Sequence, residues 1–144
     1  MKIFFDMDGT IADLYGVENW LPMLRAENPK PYELAKPLVN LSRLARHLNR
    51  LQRKGIEIGI ISWGSKVASK EYDNAVEKAK IDWLAKHLAS VNFDEIHVVP
   101  YGTPKTNFLT SSNDILFDDE EQNRTAWSGK AYAETAIFET LMAI

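Results

Sequence analysis

Four short runs of apolar residues divide the chain, at Ile3–Phe5, Ile56–Ile61, Ile96–Val99 and Ile115–Phe117. Each run is rich in Ile, Val or Phe, and none alternates strictly between apolar and polar positions. Strands that are buried on both faces show this pattern, whereas half-exposed strands alternate. A weaker run at Lys130–Ala133 predicts a fifth strand. The pattern therefore predicts a buried sheet of five strands.

Between these runs, apolar residues recur at helical spacing. One helix is predicted over Leu41–Leu51, with Gly55 as a C-terminal stop, and a longer helix over Lys66–Leu88. Shorter helices are predicted over Glu120–Trp127 and Thr135–Met142. Strands that alternate with helices indicate an α/β fold, because right-handed crossovers connect the strands of a parallel sheet.

Residues 13–40 depart from this alternation. They contain four of the six prolines and only one weak helical segment, near Val17–Ala26. We therefore predict a short cap insertion at about 13–40 that lies over one end of the sheet. The whole chain, 1–144, is predicted to form a single domain.

Composition narrows the classes of function. The 144 residues are 45% hydrophobic and 26% charged, as is typical of a soluble globular domain, and the net charge of −3 disfavours general affinity for nucleic acid or anionic membranes. Cysteine is absent, which excludes disulfides and thiolate metal sites. No apolar run approaches the roughly 20 residues of a membrane span, and Asp6 interrupts the apolar start too early for a signal peptide. The expected location is the cytoplasm.

Polar residues follow three of the predicted strands, where an open parallel sheet binds its ligands. These segments are Asp6–Thr10, Ser62–Ser65 and Asp118–Asp119, and Lys105 precedes the fourth strand. Converging carboxylates repel one another unless a cation joins them, and a hard, oxygen-liganded ion such as Mg²⁺ suits such a site. Hydroxyl, backbone N–H and ammonium groups suit phosphate oxygens, and a carboxylate can attack phosphorus.

These segments, taken in order, resemble the four motifs of the haloacid dehalogenase superfamily of phosphoryl-transfer enzymes. The matches are DxDGT at Asp6, Asp8, Gly9 and Thr10, the strand-end Ser62 in "IGIIS", Lys105 in "TPKTNF", and Asp118 with Asp119 in "ILFDD". The segment "NRTAWSGKAYA" is similar to the Asn-x-x-Ala…Gly segment of the family. Within the superfamily, "DMDGTIAD" and "AKIDWLAKHL" are most similar to the small 5'-nucleotidase-type, deoxyribonucleotidase-like members.

The resemblance implies a three-layer, Rossmann-like α/β fold with a minimal cap. It also implies a Mg²⁺-dependent phosphatase that hydrolyses a small phosphomonoester, such as a nucleoside monophosphate, through an aspartyl-phosphate intermediate. Asp6 would be the nucleophile and Asp8 the general acid. The Mg²⁺ ligands would be the Asp6 carboxylate, the Asp8 backbone carbonyl and the Asp118 carboxylate, with Asp119 behind them. The substrate phosphate would contact Thr10, Ser62, the neighbouring Trp63, and Lys105.

Alternative interpretations accompany these assignments. Asp8-Gly9 is also a hairpin-turn sequence, and acids such as Asp118-Asp119 also favour the start of a helix. A polynucleotide end phosphatase, or a non-catalytic module that binds Mg²⁺ or phosphate, would carry the same motifs. A basic stripe on the helix predicted over Leu41–Leu51 and just beyond it consists of Arg43, Arg46, Arg50 and Arg53. This stripe could bind polynucleotide, but we predict that it is the solvated face of an amphipathic helix. The candidates for contact with the body of the substrate are aromatic: Tyr15, Trp20, Tyr32 and Trp63.

Overall fold

Strands and helices alternate along the chain, as the apolar pattern predicts. The computed structural model describes residues 1–144. Its strands are β1 (Lys2–Phe5), β2 (Ala12–Asp13), β3 (Lys36–Pro37), β4 (Glu57–Trp63), β5 (Glu95–Val99), β6 (Ile115–Phe117) and β7 (Lys130–Tyr132). Its α-helices are α1 (Trp20–Arg25), α2 (Lys30–Leu34), α3 (Leu41–Arg53), α4 (Lys70–His87), α5 (Glu121–Ala126) and α6 (Ile137–Met142). Short 3₁₀ segments lie at Leu14–Gly16, Lys105–Phe108 and Glu134–Ala136.

Five strands form one parallel sheet in the order β5-β4-β1-β6-β7, which confirms the predicted parallel five-stranded sheet. The chain passes from β1 to β4 on one side and from β6 to β7 on the other, so the direction of winding reverses between β1 and β6. Open α/β sheets bind ligands at such a reversal. Phe5 pairs with Phe117 across these two strands, so Asp6 and Asp118 emerge side by side.

Both faces of the sheet are covered, which gives the three layers. The larger core lies on one face, where Phe5, Ile58 and Ile60 pack with side chains of α3, α4 and α6. The second core is smaller, and in it Phe4 and Leu116 pack with Trp127, Phe108 and Leu109. Apolar burial on both faces explains why the sequences of β1, β4 and β6 do not alternate. The predicted burial of the run at Ile96–Val99 is wrong, because β5 is an edge strand without a buried residue and Ile96 is 38% exposed. No helix has both the length and the apolar composition that crossing a membrane requires.

Helix α3 is amphipathic, as predicted. The Asn40 side chain caps its first turn by accepting a hydrogen bond from the Arg43 backbone N–H at 3.0 Å. It ends before Gly55, whose φ of +87° is costly for any residue with a Cβ atom. The Arg43 guanidinium lies 4.1 Å from the centre of the Phe138 ring, and Arg50 donates to the Leu141 carbonyl at 2.9 Å. The predicted solvated stripe is therefore wrong for Arg43 and Arg50, which pack against α6, whereas Arg46 and Arg53 are exposed.

Helix α4 begins at Lys70, so the predicted start at Lys66 is wrong. The hydroxyl of Ser69 accepts a hydrogen bond from the Tyr72 N–H at 3.1 Å and caps the helix there. Residues 64–68 instead form a loop at the carboxyl end of β4. This later start leaves the loop free to line the site.

The insertion contains more structure than the single weak helix that its sequence predicts. It forms α1 and α2, and its two ends pair as the antiparallel strands β2 and β3. The Trp83 indole N–H donates to the Ala35 carbonyl at 2.8 Å, and the Tyr72 hydroxyl donates to the Asn28 carbonyl at 3.1 Å. The insertion is thus anchored on α4, over the carboxyl end of the sheet.

Candidate active site

Three aspartates meet at the reversal point between β1 and β6. One carboxylate oxygen from each of Asp6, Asp118 and Asp119 lies within 4.8 Å of the others. Asp6 directly follows β1, and its backbone N–H still bonds the Phe117 carbonyl at 2.9 Å. The parallel register of these two strands therefore brings together carboxylates that are more than 100 positions apart in the sequence.

Lys105 lies between two of these carboxylates. Its ammonium nitrogen is 2.9 Å from Asp6 Oδ1 and 2.7 Å from Asp118 Oδ2, and its side chain is buried. Burial alone would lower the pKa of Lys105, but the negative charges of Asp6 and Asp118 raise it above its usual value. The lysine therefore stays charged and partly offsets the repulsion between the two acids.

One ammonium group does not balance three carboxylates. Burial, followed by the nearby charge of Asp6, raises the pKa of Asp118 above its usual value and that of Asp119 to about 7. Burial and mutual repulsion thus oppose the charged forms of these acids, and a cation placed among them would favour those forms. The donor atoms are all carboxylate oxygens, which are the ligands of a hard divalent cation such as Mg²⁺, so the residues fit that ion.

The turn after β1 holds Asp6 and Asp119 together. Gly9 has a φ of +82°, and a Cβ atom there would clash with the Asp119 carboxylate. The Thr10 hydroxyl lies 3.1 Å from Asp6 Oδ2 and 3.2 Å from Asp119 Oδ1, and its side chain is fully buried. This position favours a role for Thr10 in holding the acids over the direct phosphate contact that the sequence suggests.

Asp8 is not part of this three-aspartate cluster and pairs with a lysine that sequence reasoning missed. The Lys80 ammonium nitrogen of α4 lies 2.9 Å from Asp8 Oδ2, and only 1% of the Lys80 side chain is exposed. Burial raises the pKa of Asp8, and the charge of Lys80 opposes that rise without cancelling it. The two aspartates of DxDGT thus have separate cationic partners.

Ser62 and Trp63 lie in the last positions of β4. The Ser62 hydroxyl oxygen accepts a hydrogen bond from Lys80 at 2.7 Å and is almost fully buried. The Trp63 indole N–H donates to the Thr103 carbonyl at 2.8 Å, and the Lys105 ammonium lies 5.4 Å from the centre of its ring. Ser62 thus lies beside Asp8, and the ring of Trp63 forms part of the wall above Lys105.

The segment after β6 fixes the Asp118 carboxylate. Asn123 donates to Asp118 Oδ2 at 3.1 Å, and the Glu120 N–H donates to Asp118 Oδ1 at 3.0 Å. Arg124 donates to the Asp118 backbone carbonyl at 2.9 Å. Asn123 and Arg124 open the "NRTAWSGKAYA" segment, so this part of the sequence supports the acidic pair.

An open cleft of about 420 Å³ lies above these residues. Asp6, Asp8 and Lys105 line it, together with the cap aromatics Tyr15, Trp20 and Tyr32. Trp63 lies in its wall, with its ring centre 4.9 Å from that of Tyr101. Tyr101 is a lining residue that sequence reasoning did not single out. Tyr15 and Trp20 form a second pair at 5.0 Å. The structure thus brings all four predicted aromatic candidates to one cleft.

Among comparisons with known proteins, those with solved structures agree with this fold. No protein-family model matches the sequence, and no curated protein matches it. Among solved structures, the chain is similar to D,D-heptose 1,7-bisphosphate phosphatase from Burkholderia thailandensis, with a TM-score of 0.51 and 14% identity over 87% of this chain and 70% of that one. It is also similar to a chain of the Pnkp1/Rnl/Hen1 complex, with a TM-score of 0.53 and 17% identity, covering 92% of this chain and 44% of that one. These likenesses show a shared fold.

Proposed function

We propose that the chain is a Mg²⁺-dependent phosphatase that hydrolyses a small phosphomonoester, in particular a nucleoside monophosphate. The main support is the arrangement of charges at the end of β1, where Asp6 and Asp8 have separate lysine partners beneath an aromatic cleft. The resemblance of the four motifs to the haloacid dehalogenase superfamily supports this proposal. The shared fold with a protein named as a bisphosphate phosphatase agrees with it.

In the first step, an Asp6 carboxylate oxygen attacks phosphorus and the bond from phosphorus to the ester oxygen breaks. Asp8 gives its proton to the leaving oxygen, and Lys105 and Ser62 stabilise the charge on the phosphoryl oxygens. In the second step, Asp8 takes a proton from water as the water oxygen attacks phosphorus. The bond from phosphorus to the Asp6 oxygen breaks, which restores the Asp6 carboxylate and releases inorganic phosphate. Asp8 therefore returns to its protonated state after each turnover.

Mg²⁺ would be held by the carboxylates of Asp6 and Asp118 and by the Asp8 backbone carbonyl, with Asp119 beside them. When bound, Mg²⁺ neutralises charge on the transferred phosphoryl group. Asn123 keeps the Asp118 carboxylate in place through its hydrogen bond at 3.1 Å. The Thr10 hydroxyl, 3.1 Å from Asp6 Oδ2, does the same for the Asp6 carboxylate.

Phosphate release from a panel of nucleotides, sugar phosphates and end-phosphorylated oligonucleotides tests this function. We expect steady turnover of at least one small phosphomonoester, and we expect EDTA to abolish it. A non-catalytic module would bind Mg²⁺ or phosphate without any turnover across the panel. Preference for the oligonucleotides would favour a polynucleotide end phosphatase.

The metal requirement is expected to follow the chemistry of oxygen ligands. Mg²⁺ should support activity, Mn²⁺ should substitute in part, and Ca²⁺ should inhibit. Calcium prefers more ligands at longer distances, so both carboxylate oxygens of Asp6 would bind it and neither would be free to attack phosphorus. Rates measured in each metal, against an EDTA-treated control, check this. Full activity in EDTA, or equal rates in Ca²⁺ and Mg²⁺, would contradict the proposed site.

Asp8→Asn is expected to slow poor leaving groups most, by about 100-fold or more, because only those need a proton in the transition state. The backbone carbonyl that is proposed to bind the metal is retained, so the affinity for Mg²⁺ should change little. The measurement compares kcat for p-nitrophenyl phosphate and for an alkyl phosphate. Equal losses for the two substrates would remove the general-acid role from Asp8.

A nucleoside monophosphate is expected to be a better substrate than ribose 5-phosphate, by about tenfold in kcat/KM, because stacking of a base on aromatic residues is favourable. The two substrates share the same leaving oxygen, so the comparison isolates the base. The monophosphate should also exceed a 5'-phosphorylated oligonucleotide at two salt concentrations. A higher kcat/KM for the oligonucleotide that is lost in the double variant Arg43→Glu with Arg46→Glu would contradict the mononucleotide preference. It would support the polynucleotide end phosphatase instead.

A further inference from the structure

We propose that Lys80 is a positioning residue, whose ammonium group holds the Asp8 carboxylate and turns the Ser62 hydroxyl toward the bound phosphoryl group. This inference rests on the proposed function, since it concerns how Asp8 and Ser62 act on a phosphate ester. It assigns a role to a lysine that lies outside the four sequence motifs.

The Lys80 ammonium group uses all of its hydrogen-bonding capacity within the protein. Its nitrogen lies 2.9 Å from Asp8 Oδ2, 2.7 Å from Ser62 Oγ and 2.6 Å from the Trp63 backbone carbonyl. An ammonium group has three N–H donors and no acceptor, so three acceptors satisfy it completely. Lys80 is also 1% exposed and has no donor left for a substrate. It therefore positions other groups and does not itself contact phosphate.

The bond from Lys80 determines the direction of the Ser62 hydroxyl hydrogen. Lysine only donates, so Ser62 Oγ must accept from it. The hydroxyl hydrogen of Ser62 has no acceptor within the protein. Ser62 is only 1% exposed and does not itself line the cleft, but it adjoins Trp63, which does. In our proposal its hydroxyl donates to a phosphoryl oxygen bound at this end of β4, which is the role that the proposed mechanism requires of Ser62.

The same ammonium group restrains Asp8. It binds only Oδ2, and Oδ1 has no hydrogen-bond partner in the protein while Asp8 lines the cleft. A carboxylate that is held at one oxygen presents the other in a constant direction, which favours proton transfer at a defined position. Lys80 thus connects the proposed general acid with the proposed phosphate-binding serine.

Helix α4 gives Lys80 a rigid base. Trp83, one turn after it, is buried in the larger core. Val76, one turn before it, is buried in a small separate cluster that includes the cap residue Tyr32. The cap also packs over the ammonium group, because the centre of the Tyr32 ring lies 5.1 Å from Lys80 Nζ. Displacement of this lysine would require the helix and the cap to move together.

The test compares Lys80→Met with Lys78→Met, a matched change on the same helix at a side chain that is 78% exposed. In the Mg²⁺-loaded protein, Lys80→Met should lower kcat for an alkyl phosphate by about 100-fold and kcat for p-nitrophenyl phosphate by much less. Inhibition by inorganic phosphate should weaken by about tenfold, because Ser62 no longer has a fixed orientation. Lys78→Met should change none of these values.

A second comparison keeps the proposal testable if Lys80→Met folds poorly. The double variant Asp8→Asn with Lys80→Met removes both charges of the pair, so its melting temperature should exceed that of Lys80→Met alone. In the Asp8→Asn background, the lysine substitution should cost little further activity toward the alkyl phosphate. This melting comparison tests the pairing without any measurement of activity.

Some outcomes overturn the role of Lys80 alone. One is that the parent protein is active and Lys80→Met lowers kcat equally for both substrates. Another is that the activity losses of Asp8→Asn and Lys80→Met multiply in the double variant. The third is that the melting temperature of the double variant does not exceed that of Lys80→Met. A parent protein that releases no phosphate from any substrate instead overturns the proposed function, and the catalytic part of this inference with it.

Discussion

Replacement of Asp6 by asparagine is expected to reduce phosphate release by at least about 1,000-fold, because an amide cannot form the aspartyl-phosphate intermediate. The fold should persist. Asparagine has the same size as aspartate and keeps an oxygen that can accept a hydrogen bond from Lys105, which retains its ion pair with Asp118 at 2.7 Å. The loss should therefore appear in kcat and not in the melting temperature.

The measurement is single-turnover and steady-state phosphate release, together with thermal unfolding in Mg²⁺-free buffer. Asp82→Asn is the matched control, since Asp82 lies on the exposed surface of α4 and does not line the cleft. Activity close to that of the parent protein in Asp6→Asn would remove the nucleophile assignment. A large loss in the control would indicate that the assay reports stability.

Lys105→Met is expected to destabilise the fold by about 3–5 kcal/mol, because removing one partner of a buried ion pair leaves uncompensated charge. Lys105 is 4% exposed and contacts the carboxylates of both Asp6 and Asp118. The variant should also lose most of its activity, since Asp6 and the phosphoryl oxygens lose their common cation. A divalent cation should restore part of the stability, because it supplies the missing positive charge.

Thermal unfolding of Lys105→Met with EDTA and with Mg²⁺ measures this effect. We expect the variant to gain more stability from Mg²⁺ than the parent protein does. Lys30→Met, at an exposed lysine of α2, controls for the change of residue type. Unchanged stability in Lys105→Met would show that the carboxylates have another source of compensation, and an absent response to Mg²⁺ would place the metal elsewhere.

The order of elements could be predicted because burial on both faces leaves a strong mark on sequence. The runs at Ile3–Phe5 and Ile115–Phe117 are both strands, and Gly55 follows α3 as expected. The site residues Asp6, Asp8 and Asp118 could be located for a related reason. In a parallel sheet, residues that directly follow strands reach the same edge, whatever their separation along the chain.

The cap could not be predicted to the same depth. Helix α1 lies within the weak helix predicted near Val17–Ala26, whereas α2 was not predicted. The two helices have only 6 and 5 residues, which is too short for a strong helical periodicity and for stability in isolation. They form because Tyr32 packs against α4 and because the Asn28 and Ala35 carbonyls accept hydrogen bonds from that helix. The start of α4 at Lys70 likewise depends on the Ser69 cap and on the course of the loop after β4.

Sequence alone determined the parallel sheet, the acids at its carboxyl edge and the presence of an insertion, because these follow from local apolar runs and from the residues at their ends. Only the tertiary structure showed which lysine pairs with which aspartate. Lys80 lies at helical spacing from Val76 and Trp83 and within the segment "AKIDWLAKHL", but its partners Asp8 and Ser62 lie on other elements. A buried charge depends on the groups that surround it in space, and that environment exists only after the strands and α4 have packed together.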